Sequence, residues 1–238
     1  MRPSDNCGFP WVASVILSLM PIVTFAQSST RTVAATVPKR DPYAYSCDSK
    51  TFMLEDFGKA SAFVESPDRQ KRVVLAKSGN FILAAGKKTF RIRGINPLSA
   101  GIEVGWSPDS TQFFINWSGG GAIGEYYLRA FRLDGRQLAA LPGPELVYAH
   151  FKKRHSCIAR PANNIFMLGW TEDSQKMFMV TEVYPTGDCR ELGLFRGYLV
   201  EARSGKILNI FGEKATEEIK EKSRQARVVV PPNDTQTH

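Results

Sequence analysis

The chemistry open to this chain is limited by three histidines and four cysteines. His150, His155 and Cys157 lie together in YAHFKKRHSC. Their spacing fits no standard zinc pair, and Lys152, Lys153 and Arg154 between them oppose a bound cation. The expectation is a solvated basic loop, with no metal. Covalent catalysis would need Cys157, Cys189 or a serine to meet His150 or His155, since His238 sits in the tail. No Gly-x-Ser-x-Gly elbow is present, and nothing in the sequence singles out a triad. Gly119-x-Gly121-x-x-Gly124 has the dinucleotide spacing, but the residues after it, EYYLRAFRL, alternate like a strand. A pyrophosphate site needs a helix N-terminus there. That stretch therefore reads as a hairpin loop with no cofactor. Acid pairs such as Glu125 with Asp134, or Glu172 with Asp173, read as surface and turn residues. No catalytic, cofactor or metal residue is assigned.

Charge is more informative. The net charge is +8, and between Arg69 and Gly101 there are eight basic residues and no acid: Arg69, Lys71, Arg72, Lys77, Lys87, Lys88, Arg91 and Arg93. In a strand, Lys87, Arg91 and Arg93 share one face while Phe90 and Ile92 point the other way. Such a stripe either keeps a sheet edge from pairing or presents a surface to an anionic partner. Lipid headgroups, an acidic polysaccharide and an acidic protein all fit. Nucleic acid fits less well, because no stacking aromatics are interleaved with the charges.

Where these residues can meet depends on the organisation of the chain. Residues 1–26 have a secretory signal layout: Arg2, then sixteen uncharged residues from Trp11 to Ala26, ending Thr24-Phe25-Ala26. That run is short against the ~20 residues of a spanning helix. The expectation is an exported chain, periplasmic or extracellular, with no transmembrane span after cleavage. Cys47, Cys157 and Cys189 would then sit where disulfides persist. Cys157 and Cys189 are separated by one out-and-back pass through two strands, which makes them the expected bridge. Residues 27–42 read as a flexible leader, 43–212 as the folded domain, and 213–238 as a charged helix with a tail. The helix mixes Glu217, Glu218, Lys220, Glu221, Lys222 and Arg224 with almost no apolar stripe, so a solvated helix is expected.

The composition, 43% hydrophobic and 23% charged, excludes wholesale disorder and a multi-span membrane protein. Between residues 50 and 212 nearly every segment reads as a short strand. RVVL and FILA flank Ser78-Gly79-Asn80, EYYLRAFRL closes on Asp134-Gly135, and GYLVEARSGKILNIF turns at Ser204-Gly205. No ten-residue amphipathic helix is evident there. The class is all-β.

An internal repeat is visible. VGWSPDSTQFFI (104–115) aligns with LGWTEDSQKMFM (168–179), matching Trp106 with Trp170 and Asp109 with Asp173. A weaker third copy is AFVESPDRQKRVVL, where Ser66-Pro67-Asp68 precedes a strand. Each tryptophan ends an incoming strand and anchors a neighbouring sheet. The tight turn then sends the chain back as an apolar run buried on both faces. These units resemble the repeats of β-propellers of the Tol-translocation-protein type, whose blades carry a Trp-Ser-Pro-Asp-Gly-Lys-like turn. The family's glycine after Asp is Ser110 and Ser174 here, and Glu172 replaces Pro in the second copy. The resemblance implies stacked antiparallel sheets in an open or incomplete propeller, because three copies fall short of the ~4–8 blades of a ring. A duplicated β-sandwich is the alternative. The expected role is non-catalytic binding or scaffolding. The rivals are the accessory propeller of a hydrolase or peptidase, and an envelope assembly subunit that oligomerises through blade edges. Two Asn-x-Ser/Thr sequons begin at Asn116 and Asn233.

Overall fold

The structure, a computed structural model, describes residues 49–53, 62–76, 80–96, 101–119, 125–155, 164–183 and 190–225, with side chains from Phe63 onward. The expected signal segment, leader and tail lie outside the described residues, as do all four cysteines and Asn233. Among the described residues, β1 (Ser49–Met53) stands apart, and twelve further strands fall into three antiparallel meanders. The first sheet runs β2 (Ala62–Glu65), β3 (Lys71–Leu75), β4 (Phe81–Ala85), β5 (Lys88–Ile92). The second is β6 (Gly101–Trp106), β7 (Gln112–Ser118), β8 (Tyr126–Asp134), β9 (Gln137–Ala140), with β1 added antiparallel at the free edge of β6. Helix α1 (Gly143–Lys152) leads to the third sheet: β10 (Asn164–Trp170), β11 (Lys176–Glu182), β12 (Phe195–Glu201), β13 (Ile207–Phe211). Helix α2 (Glu213–Gln225) follows. The chain is mostly β, and it has three sheets where a duplicated sandwich has two.

Burial patterns give the stacking order. In β3 and β4 exposure alternates, the mark of a sheet covered on one face only. β6 is buried at every position, and β7 and β11 nearly so, because their sheets are covered on both faces. One apolar layer joins Val73, Leu83 and Ile92 of the first sheet to Val104, Trp106, Phe113 and Ile115 of the second. Another joins Phe114 and Leu128 of the second to Met167, Trp170, Met177 and Met179 of the third, with Val147 and Phe151 of α1. Gly105 allows this close packing, since a Cβ there would meet the Phe114 ring at 2.4 Å.

The helices depart from the sequence expectation. α1 does form in the stretch read as strand and loop. Its buried residues, Gly143, Pro144, Val147 and Phe151, repeat at helical spacing, and Pro144 in the first turn is compatible with helix initiation. Nor is α2 fully solvated. Thr216 and Ser223 are buried, and Ile219 packs on Phe166, Leu168, Phe178, Val180 and Leu199. The sheet supplies most of the apolar surface, so α2 covers it with small side chains and one isoleucine.

Candidate anion-binding surface

Three equivalent turns set the sheets against one another. In the second sheet, Ser107 Oγ donates to Asp109 Oδ1 at 2.6 Å, and Asp109 Oδ1 accepts from the Thr111 N–H at 3.0 Å. The Gln112 N–H donates to Ser107 Oγ at 2.9 Å. The same bonds recur around Ser66 and Asp68, and around Thr171 and Asp173. Each turn ends in a left-handed residue: Arg69 (φ 58), Ser110 (φ 61) and Ser174 (φ 58). The two serines link one sheet to the next. The Asp68 N–H donates to Ser110 Oγ at 3.0 Å, and the Asp109 N–H donates to Ser174 Oγ at 3.1 Å. A serine hydroxyl thus takes up a bond that a glycine at this position could not accept.

Trp106 and Trp170 end β6 and β10 and are both buried against the preceding sheet. Trp106 Nε1 donates to the Val64 carbonyl at 3.3 Å, whereas Trp170 Nε1 has no partner among the described residues. Asn116 is only 3% exposed. Its amide donates to the Met167 carbonyl and accepts from the Met167 N–H, both at 2.9 Å, and also donates to Glu103 Oε2 at 2.6 Å. That sequon therefore works as an inter-sheet clamp.

The two histidines of the expected basic loop are half-buried. His150 lies in α1 with Nδ1 3.3 Å from Tyr198 Oη; burial, then the nearby Arg154 and Lys153, hold its pKa below the usual imidazole range. His155 Nδ1 lies 3.1 Å from Glu191 Oε1. Among the described residues no group of three His, Cys, Asp or Glu side chains is placed to hold a metal. The glycine run between β7 and β8 joins two antiparallel strands, with Gly119 N–H donating to Glu125 O at 2.8 Å.

The expected basic face is brought together in part. Lys87 falls in the β4–β5 turn, away from its companions. Arg91, on β5, and Arg93, just beyond it, line a depression of about 340 Å³ with Asn80, Phe81, Ile92, Gly94 and Ile95. Arg91 is held by a neutral group, its Nη2 donating to Asn80 Oδ1 at 2.8 Å, so the full positive charge is retained. Arg129 is an addition that the charge run does not contain. It arrives from β8 of the second sheet, on the face that also carries Tyr127 and Phe131, and its guanidinium lies against Gly94. Its signal in the sequence is an arginine on the apolar side of an alternating strand.

Comparison with family models, with curated proteins and with solved structures finds no match.

Proposed function

We propose that this chain is an exported, non-catalytic binding or scaffolding protein built of propeller-like repeats in an open stack, and that its partner is an anionic component of the cell envelope. The observation that carries the reading is the depression at the end of the first sheet. Two guanidiniums line it, and its polar partner for Arg91 is an amide rather than a carboxylate. An anion placed there meets charge that nothing among the described residues has neutralised. An open stack is supported by α2, which lies on the outer face of the third sheet where a fourth sheet would otherwise pack. No helix among the described residues is long and apolar enough to cross a membrane.

The test is retention of the mature chain on vesicles of anionic lipid, with vesicles of neutral lipid as reference. Retention on the anionic vesicles alone, weakening as salt rises, is expected. Equal retention on both, or none at low salt, contradicts the proposal. An assembly subunit is the second reading, favoured by Phe63, which is 41% exposed on the uncovered face of the first sheet. Light scattering that gives a multiple of the monomer mass would support it.

A further inference from the structure

Arg129 is the most unusual charge among the described residues. It projects from β8 between two sheets, half-buried, on the face that carries Tyr127 and Phe131. It makes no hydrogen bond or ion pair with a described residue, although Arg132, three residues on, pairs with Asp134. A partly desolvated guanidinium is unfavourable unless it is paired. Gly94 is the neighbour that lets it sit there. Gly94 has φ +77, and a Cβ would stand 2.9 Å from Arg129 Cζ and 3.0 Å from Nη2, so any larger residue would push the guanidinium away. Gly94 is also a wall of the depression that Arg91 and Arg93 line. Guanidiniums from two different sheets therefore converge on one residue's main chain.

We propose that this corner is a phosphate site. One phosphate, free or as a monoester, sits at Gly94 with oxygens directed at the forks of Arg93 and Arg129, while Asn80 keeps Arg91 alongside as a third positive charge. Guanidinium forks match phosphate oxygens in pairs. A carboxylate carries one negative charge and is satisfied by one fork. A phosphate monoester carries between one and two at neutral pH, matching the two guanidiniums that face it. The inference rests on the proposed anionic partner and narrows it to a chemical group that a lipid headgroup or a soluble ester would supply.

The experiment is thermal unfolding of the mature chain in rising inorganic phosphate, with chloride holding ionic strength constant. The melting temperature is expected to climb with phosphate, as linkage requires of a ligand that binds only the folded state. Arg129→Gln and Arg93→Gln should each lose the climb. Without phosphate, Arg129→Gln should melt no lower than the parent, because it removes an unpaired charge. Arg93→Gln alters an exposed rim residue, so it remains informative if Arg129→Gln fails to fold. An equal climb in parent and variants overturns the site, and so does no climb at all. A parallel arm uses phosphatidic acid vesicles. Retention that free phosphate competes away assigns the group to lipid headgroups, and a phosphate climb without retention assigns it to a soluble ester. Retention with no phosphate climb overturns this site but leaves the anionic surface standing. If neither is seen, both proposals fall.

Discussion

At the scale of single residues, the serines at 110 and 174 hold a conformation that glycine adopts more readily. Left-handed backbone costs a non-glycine residue roughly 1 kcal/mol, and the inter-turn hydrogen bond returns about as much. Ser110→Ala keeps the strain and loses the bond, so it should destabilise by about 1 kcal/mol, whereas Ser110→Gly loses both and should be near neutral. Chemical denaturation measures the two; an alanine variant as stable as the glycine variant would show that the hydroxyl bond contributes nothing. The tryptophans differ by one bond. Truncating either to alanine should cost about 3–5 kcal/mol. Trp106→Phe should cost more than Trp170→Phe, because only Trp106 gives up a donor that has an acceptor, the Val64 carbonyl. Asp173 is held below the usual carboxylate range by the Thr171 hydroxyl and the Gln175 N–H. Asp68 is held low as well: burial pushes it up, but Lys71, Ser66 and Gln70 together outweigh that. Carboxylates with depressed folded values add stability that is present above about pH 4 and is lost as pH falls through those values.

At the scale of elements, the hairpins are legible in the sequence because each combines alternation with turn chemistry, as at Asp134-Gly135 and Ser204-Gly205. The third copy is legible because Ser66-Pro67-Asp68 keeps both the hydroxyl and the carboxylate that the turn requires. α1 is hidden by Gly143-Pro144, which reads as a turn until Val147 and Phe151 are seen to lie on the same face. The contact made by α2 is hidden for another reason. It buries Thr216 and Ser223, which no hydropathy pattern marks. The way α2 packs gives a pH test. Burial pushes the Glu182 carboxyl up, with Lys220 on α2 offsetting part of the shift. A raised carboxyl pKa means that ionisation costs folded stability, so the cost is present at neutral pH and disappears as pH falls below the unfolded value. Glu182→Gln should therefore raise the melting temperature at pH 7 and leave it unchanged near pH 4. A lower melting temperature at pH 7 would mean that the attraction to Lys220 outweighs burial. The expected Cys157–Cys189 bridge lies outside the described residues. His155 and Glu191, each two positions from one of those cysteines, meet at 3.1 Å. A non-reduced digest should yield the linked pair; a bridge containing Cys47 would contradict the expectation.

At the scale of the whole molecule, charge and stacking are segregated. The segment from Arg69 to Gly101 carries as many positive charges as the chain's entire net charge, +8. The interlocked turns, with Gln112 and Asn116, carry polar contacts from each sheet to the next. The basic stripe is legible as a run of charges, but its convergence is not. Lys87 leaves it at a turn, and Arg129 joins from a strand of another sheet, a pairing that only the stacking of the sheets creates. Under the proposed function, a place on the surface, and not net charge, recruits the anionic partner. The direct measurement is salt-dependent retention on anionic vesicles of two double variants that change net charge equally. One is Arg91→Glu with Arg93→Glu; the other is Lys214→Glu with Lys222→Glu on α2. The first is predicted to lose retention at low salt while the second keeps most of it. Equal loss in both would contradict the proposal, because the surface of the first sheet would then have no privileged role.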